Sequence, residues 1–516
     1  MRVFGAPIHA LIGASILLTA GCSSQMPAPS SGLVIDSTRP VRSSCAIALD
    51  RIRQAVADAN VTDAQDRPIP GFAFLRVNRF LARIGRRFAN GRPGPAFEAW
   101  VDRLQALERE GLQVELANLG NAGRRRLART VAARGTAPSD ILAKASQCGQ
   151  RARQRALATA AGRRRLVQAA RVADNYSDTA QLLGAYPLTS IPVNLGWQRW
   201  KAQNLASFER PPSDQPVIGR VVEFRPPSSP ATLNRRAVRS LIRRSRRSPL
   251  GIPEPRGASM QRLLHTFAPV WQVDVAGRYD KPGFPTWRRK AGTVYIDVER
   301  AVTFTRISHA IVDNKVHLQL NYAIWFEQRP AIGPLDLLSG NLDGVVWRVT
   351  LGDDGRPLIY DSIHLCGCYH FLFPVSSRFS KNRAERNPSL KEVPAVIAGF
   401  KPPTGGQRVT LRLASGSHYL LAVKSQARRR TTAARRTYRY ANETILRSLP
   451  LSGARRRSLY RSDGLIAGTE RLERFVLWPT GVVSPGALRQ WGHHAIAFAD
   501  RRHFDDPLLF DIIFGR

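Results

Sequence analysis

The chain has 516 residues, of which 43% are hydrophobic, and its 78 basic and 38 acidic residues give a formal net charge of +40. The length exceeds what one hydrophobic core organises, and the hydrophobic content excludes a wholly disordered chain. A surface this basic favours anionic partners, such as acidic lipids, lipopolysaccharide or other charged envelope polymers. Its arginine clusters largely lack interleaved aromatic residues, which argues against a nucleic-acid groove.

The first two dozen residues, MRVFGAPIHALIGASILLTAGCSS, have the layout of a secretory signal. Arg2 supplies the positive start, residues 11–20 form an apolar centre, and small residues precede Cys22. The ending LTAGC, at residues 18–22, resembles the lipobox of bacterial lipoproteins. This resemblance covers only the first two dozen residues, and the rest of the chain is interpreted from its residues alone.

The resemblance implies export, lipidation of Cys22 and attachment to a membrane. The residue after the cysteine is Ser23 rather than Asp, and by the same resemblance this favours sorting to the outer membrane. Several acyl chains on one residue would anchor the protein without a transmembrane helix. The alternative is an uncleaved membrane anchor, since residues 3–20 almost suffice to span a bilayer. We therefore expect a signal peptide at residues 1–21 and a lipidated, flexible tether at 22–44.

Residues 45–207 are predicted to form a helical domain. Behind a capping Ser44, apolar residues recur on one helical face: Cys45, Leu49, Ile52 and Val56. The same spacing over residues 97–107 predicts a second helix, and Gly111 is its expected stop.

Further helices are expected at residues 141–160 and 164–185, and the prolines of residues 186–192 predict a rigid break after them. A segment rich in Pro and Arg follows at 208–262 and is predicted to be a linker. One strand is still possible within it, at residues 217–224.

Residues 263–516 show the alternation of β-strands. Strands are expected at residues 293–311, 316–326, 345–351, 358–373, 409–413 and 418–423. Even-numbered residues of 316–326 are apolar, whereas His317, Gln319 and Asn321 would line the other face and could serve a ligand. The chain is therefore predicted to be α+β, with a helical N-terminal domain followed by a mostly antiparallel β-rich domain.

The five cysteines are expected to serve different purposes. Lipidation of Cys22 leaves four in an oxidising compartment, where disulfides persist. Cys45 and Cys148 are predicted to pair, because Cys366 and Cys368 are already close neighbours. This disulfide would close the long loop between Cys45 and Cys148 and stabilise the fold by ~4–5 kcal/mol in the chain-entropy model. Two separate buried thiols are the alternative.

The stretch IHLCGCYH, at residues 363–370, is the most unusual part of the sequence. On a strand, its alternate residues would share one face: His364, Cys366, Cys368 and His370. A straight strand spreads four ligands too far for one tetrahedral ion, but Gly367 could bend it. Thiolate and imidazole ligands suit zinc or copper, so the stretch predicts a metal site.

His309 and His317 flank an expected hairpin turn and are candidate donors from outside this stretch. A catalytic metal would also need a nearby acid or base, for which Glu327 and Asp361 are the candidates. Two alternatives remain open, namely a strained disulfide within the stretch and a buried strand whose thiols pack as small hydrophobes. A c-type haem attachment is disfavoured, because only one residue separates the cysteines.

No motif of a serine hydrolase, a zinc protease or a phosphate-binding loop is present in the sequence. His493, His494 and His503, with Asp505 and Asp506, could line a site but are interpreted as surface histidines beside an acidic turn. The predicted function is that of an outer-membrane lipoprotein acting as a periplasmic or surface binding protein, with a metal at the Cys-His stretch. One alternative is a secreted metal-assisted hydrolase using that stretch. Another is a structural envelope protein that binds anionic polymer or lipid headgroups.

Overall fold

The computed structural model describes residues 44–211, 214–288, 292–404, 407–426, 433–451, 453 and 455–515. The expected signal peptide, Cys22 and nearly all of the expected tether lie outside these residues. Within them a helical N-terminal region precedes a strand-rich region, so the predicted α+β class is confirmed. None of the described helices is both long and apolar enough to cross a membrane.

The N-terminal helices surround a short hairpin of β1 (Arg67–Ile69) and β2 (Phe72–Val77). They are α1 (Ser44–Asp58), α2 (Arg79–Gly85), α3 (Pro95–Asn118), α4 (Gly120–Thr130), α5 (Pro138–Ala156), α6 (Ala160–Ala169), α7 (Asp178–Leu183) and α8 (Tyr186–Glu209). Helix α1 buries the predicted apolar face against its neighbours, as its 3.6-residue periodicity requires.

A disulfide joins the first helix to the fifth. The sulfur atoms of Cys45 on α1 and Cys148 on α5 are at bonding distance, and their Cα atoms are 4.8 Å apart. This is the pairing expected from the sequence. It ties together two helices that pack side by side but lie 103 residues apart along the chain.

Helix α3 passes through Gly111, so the prediction of a helix stop there is wrong. A Cβ atom at Gly111 would lie 2.6 Å from Nη1 of Arg76. The buried guanidinium of Arg76 is held there by Glu115 at 2.8 Å and Glu108 at 3.0 Å. The glycine therefore makes room for a buried cation and does not end a helix.

The region after residue 160 also differs from the prediction. The single helix expected at residues 164–185 is divided into α6 and α7, and the expected break at 186–192 is the start of α8. Pro187 occupies the first turn, where a helix needs no N–H donor. Pro192 lies inside α8, so the second proline is accommodated within the helix instead of ending it.

The rest of the chain carries most of the strands. They are β3 (Arg220–Arg225), β4 (Val270–Val275), β5 (Phe284–Trp287), β6 (Val294–Asp297), β7 (Val302–Val312), β8 (Lys315–Arg329), β9 (Gly340–Leu351), β10 (Pro357–His364), β11 (Phe371–Pro374), β12 (Ala395–Val396), β13 (Arg408–Leu413), β14 (Leu420–Gln426), β15 (Ala434–Thr437), β16 (Arg439–Asn442), β17 (Leu449–Pro450) and β18 (Arg456–Arg457). The later helices are α9 (Arg235–Ser245), α10 (Gly257–Phe267), α11 (Lys381–Glu385), α12 (Arg474–Leu477) and α13 (Leu509–Phe514).

Two larger sheets dominate this region. One has the strand order β12-β11-β10-β9-β8-β7-β16, and the other has the order β14-β13-β4-β3-β15. Most pairs are antiparallel, while parallel pairs occur at β11–β12, β13–β4, β15–β3 and β16–β7. The predicted turn between β7 and β8 is confirmed, since Asp313 and Asn314 adopt left-handed φ angles of 50° and 59°.

The two sheets pack face to face over a shared apolar core. The predicted apolar face of β8, represented by Leu320 and Tyr322, lies in this core with Trp271 of β4 and Leu411 of β13. The other face of the seven-stranded sheet packs against the C-terminal segment, including α13. That sheet is therefore covered on both faces.

The polar face of β8 is consequently not an open ligand surface. The amide of Gln319 donates to Oγ1 of Thr350 at 3.1 Å, and the amide of Asn321 donates to Oγ of Ser308 at 2.9 Å. Both side chains are buried. Neighbouring strands thus bury both side chains and accept from their amide groups, which corrects the expectation that this face could serve a ligand.

The segment expected to be a linker, 208–262, contributes directly to the sheet region. Strand β3 pairs with β4 and β15, and it corresponds to the strand considered possible at residues 217–224. Val238 and Ile242 of α9 are buried in the core between the sheets.

Replacing Gly111 by Ala should destabilise the protein. The new methyl group would displace Arg76 from Glu115 and Glu108, which costs ~2–4 kcal/mol. The higher helix propensity of alanine would stabilise the folded protein by only ~1 kcal/mol. The matched control is Gly196→Ala in α8, where a Cβ meets nothing within 4 Å and should stabilise the fold slightly. Urea unfolding measures both, and equal stabilisation of the two variants would contradict the structure.

Candidate ligand-binding cleft

The Cys-His stretch forms a turn and not a continuous strand. Strand β10 ends at His364, whose amide donates to the carbonyl of Cys368 at 3.0 Å, and β11 begins only at Phe371. Gly367 has a φ of 94°, and a Cβ there would lie 2.3 Å from the carbonyl oxygen of Ala495. The prediction of one strand over 358–373 is therefore wrong, because a close backbone approach requires a glycine turn.

The two histidines of this turn point to opposite faces of the sheet. Ser362 pairs with Phe371, so His364 falls on the face that meets the second sheet. Its ring lies 5.8 Å from that of Tyr419, whereas the ring of His370 lies 6.0 Å from that of Phe504 in the C-terminal segment. The expectation that all four side chains share one face is corrected accordingly.

His364 belongs to a buried chain of alternating carboxylates and imidazoles. Asp343 lies 3.4 Å from Nδ1 of His364 and 2.9 Å from Nδ1 of His418, and His418 also approaches Asp280 at 3.4 Å. Burial lowers the pKa of His418, but its hydrogen bonds to the two carboxylates raise the pKa above its usual value. The chain links the β13–β14 turn to β9 and to the end of β10.

His370 and Asp361 belong to a separate buried group. Nε2 of His370 lies 3.1 Å from Oδ2 of Asp361, and Nε of Arg348 donates to Oδ1 of Asp361 at 2.9 Å. Burial raises the pKa of Asp361, but the Arg348 guanidinium and the His370 hydrogen bond bring it below its usual value. Asp361 is thus a paired structural anion, with no contact to a cleft.

The two thiols of the turn contact each other. Both Cys366 and Cys368 are free, and the Cys368 amide donates to the sulfur of Cys366 at 3.3 Å. Their mutual hydrogen bond raises the pKa of the Cys368 thiol. Burial raises the pKa of Cys366, but the hydrogen bond from Cys368 brings it below its usual value. Arg489 donates to the Cys366 carbonyl at 2.9 Å and fixes the turn.

The proposed outside donors also lie elsewhere. His309 stacks on Phe80 with ring centroids 5.0 Å apart, and its Nε2 contacts the carbonyl of Pro253. His317 bonds through Nδ1 to the carbonyl of Leu351. In the described part of the chain, no group of three His, Cys, Asp or Glu side chains is arranged to hold a metal ion. The predicted zinc or copper ligands are therefore not brought together.

A cleft of about 1750 Å³ is lined by residues of both the helical region and the sheet region. The helical region contributes residues 60–62 and Asn118 to its lining, and the sheet region contributes most of residues 456–469. Its basic and aromatic lining comprises Arg67, Arg288, Arg456, Arg457, Arg461, Arg489, His493, Trp287, Tyr295 and Tyr460. Glu327, one of the two candidate acids, also lines it.

Arginines stack on aromatic rings at the rim of this cleft. The guanidinium of Arg457 lies 4.5 Å from the ring centre of Trp287, and that of Arg288 lies 4.9 Å from Tyr295. Strand β5 packs against β17, whose partner β18 carries Arg457, and β5 also pairs with β6, which carries Tyr295. The rim therefore presents flat apolar groups next to planar cations.

The carboxylates of the cleft are already paired. Glu327 accepts from Arg278 at 3.0 Å, Asp463 pairs with Arg461, and Asp174 lies 3.1 Å from His503. By contrast, across the described residues no carboxylate lies within 4.0 Å of four lining arginines: Arg67, Arg288, Arg456 and Arg457. The cleft thus carries uncompensated positive charge.

The C-terminal histidines lie in the interior, which corrects their interpretation as a surface cluster. His493 is buried at the cleft wall, with Nε2 2.8 Å from the carbonyl of Ala64 and Nδ1 3.2 Å from the Asn175 amide. Burial lowers its pKa to about 4, so its ring is neutral at pH 7. Burial, with a smaller contribution from Arg489, lowers the pKa of His494 to about 3.

Only part of this cleft could be recognised from the sequence. The run of three arginines ending at Arg457 was visible as a charge cluster, but nothing local joined it to Trp287. Residues 60–62 reach the site only through tertiary contacts of the helical region. No protein-family model matches the chain, and neither a curated protein nor a solved structure matches it.

The thiol content of a chain carrying Cys22→Ser tests the cysteine arrangement. We expect two free thiols in denaturant without reductant and four after reduction, because Cys45 and Cys148 are paired while Cys366 and Cys368 are not. The Cys366→Ser/Cys368→Ser variant should lose both free thiols. Finding none before reduction would show that the turn is oxidised, and finding four would exclude the disulfide.

Proposed function

We propose that this protein is an outer-membrane lipoprotein that binds an anionic saccharide or a related envelope polymer in its cleft, at the periplasmic or outer surface. The observation that carries the proposal is the set of uncompensated arginines beside aromatic rings in the cleft. The anchoring part rests on the N-terminal signal and Cys22, which resemble those of bacterial lipoproteins.

The size of the cleft favours an extended ligand. A volume of about 1750 Å³ exceeds the ~300–1,000 Å³ of ordinary small-molecule pockets. Uncharged hydrogen-bonding groups also line it, including those of Gln328, Asn341, Ser458 and Thr469. A polymer of sugar units would use such groups for its hydroxyls and would place its carboxylates or phosphates on the arginines.

The enzyme alternative has weaker support. A hydrolase that uses two carboxylates needs at least one that is free to exchange a proton with the substrate. Glu327, Asp463 and Asp174, the carboxylates that line the cleft, are each engaged with an arginine or histidine. Asp361 is buried in a different part of the sheet. Binding without turnover is therefore the function that the cleft supports best.

The Arg456→Gln/Arg457→Gln variant tests the proposal. With polygalacturonate as the anionic probe and dextran as the neutral one, calorimetry should show binding of polygalacturonate only, weakening as salt rises. Each lost charge-assisted contact costs ~1.5–3 kcal/mol, so the double variant should bind at least about tenfold more weakly.

The matched control is Arg125→Gln/Arg126→Gln on α4, which removes the same charge from an exposed surface outside the cleft. Its affinity should stay within about twofold of the unmodified chain, because screened surface charge contributes little. Equal weakening by the two double variants would refute the cleft as the binding site, since only general surface charge would then matter.

A further inference from the structure

The outer face of helix α8 exposes an apolar stripe. Leu188, Ile191 and Leu195 follow one another at helical spacing, and Leu188 and Ile191 are 71% and 59% exposed. Soluble helices usually turn such a stripe toward a core. Here the stripe faces solvent along the first half of the helix.

The inner face of α8 holds the helix in this orientation. Nε1 of Trp197 and Nζ of Lys201 both donate to the carbonyl of Val393 at 3.2 Å, and the Asn194 amide donates to the carbonyl of Lys391. On a regular helix these residues lie on a neighbouring face, roughly a third of a turn from the stripe. The exposure is therefore fixed by packing.

Further apolar side chains extend the stripe into a larger surface. Leu182 and Leu183 of α7 and Phe475 and Trp478 around α12 are also exposed, Leu182 by 81% and Phe475 by 64%. We call these residues, together with the stripe, the α7–α8 apolar patch.

Close packing brings α7, α8 and the turn after α12 next to one another. The Gln181 amide donates to the carbonyl of Thr480 at 2.8 Å, and a Cβ at Gly184 would lie 2.5 Å from Cβ of Pro479. Helix α8 also contacts the turn that contains these residues. Contiguous exposed patches of this extent mark interaction surfaces.

The residues around the patch indicate which partner it meets. The Arg474 guanidinium lies 4.7 Å from the ring centre of Phe475, and Arg199 is exposed one turn after Leu195. Leu, Ile, Phe and Trp beside arginine are typical of surfaces that enter the interface of a bilayer. The charge of +40 is complementary to acidic lipid headgroups.

The segment between the expected anchor at Cys22 and the first described helix is long enough for the patch to reach a membrane surface. Cys22 and Ser44 are 22 residues apart, which corresponds to at most ~75 Å of fully extended chain. We propose that the α7–α8 apolar patch binds the surface of an anionic lipid bilayer and orients the cleft relative to it. This inference rests on the proposed lipid anchorage for its location, but the patch can be tested without the anchor.

The experiment uses the mature full-length chain with Cys22→Ser, so that no acyl chain contributes. Cosedimentation with vesicles of phosphatidylethanolamine and phosphatidylglycerol should show binding. Leu188→Ser/Ile191→Ser/Leu195→Ser should lower the partition coefficient at least about tenfold, because three apolar side chains no longer enter the interface.

The matched control is Val217→Ser/Ile218→Ser, which alters apolar residues that are also exposed, Ile218 by 77%, near the far end of α8. It should leave partitioning unchanged. Equal partitioning of the triple variant and the unmodified chain would overturn the proposal. The proposal would also be overturned if the chain bound no vesicles but formed a dimer through the patch. Such a dimer would show as a higher molecular mass that the triple variant abolishes.

Palmitate labelling in cells separates this proposal from the lipidation on which it rests. Label on the unmodified chain but not on Cys22→Ser, with no vesicle binding by the patch, would retain the anchor and refute the patch. Vesicle binding without label would support the patch and refute the anchor.

Discussion

A buried ion pair between Arg447 and Asp63 joins the parts of this molecule. Nη2 of Arg447 lies 2.6 Å from Oδ2 of Asp63, and both side chains are almost fully buried. The Asn118 amide donates to the Arg447 carbonyl at 2.9 Å, and the Gln490 amide donates to Asp63 at the same distance. Helical region, sheet region and C-terminal segment thus meet at one charge pair. Removing Arg447 would leave Asp63 as a buried carboxylate without its cation, at a cost of ~3–5 kcal/mol.

Buried ion pairs of this kind occur elsewhere in the molecule. Several carboxylates are used inside the protein to neutralise buried arginines, as in the Arg76–Glu115 and Arg348–Asp361 pairs. The chain has 38 acidic and 78 basic residues. Each buried pair uses one of the less numerous carboxylates, so basic residues outnumber acidic ones by a larger ratio at the surface. The ion pair at Asp63 then positions residues 60–62 as a wall of the cleft.

The sequence was sufficient to predict elements whose structure depends on nearby residues. Helix α1 and the β7–β8 hairpin followed from periodicity and turn residues, because each buries one regular face. Gly111 was misread as a helix stop, since the reason for this glycine is a distant partner, Arg76. Gly367 was expected to permit a bend, but the Ala495 carbonyl that requires a glycine there is distant in sequence. The cleft could not be predicted as a whole because its walls come from widely separated segments. Only its arginine cluster left a trace in the sequence.

Hydrogen–deuterium exchange with and without polygalacturonate tests the central claim most directly, because it reports where on the intact protein the ligand binds. We expect amide protection to increase at residues 60–62 and 456–469, which line the cleft, and to stay unchanged in α4. Protection spread over the basic surface, or concentrated on the arginines of α4, would contradict the claim that the cleft is the binding site.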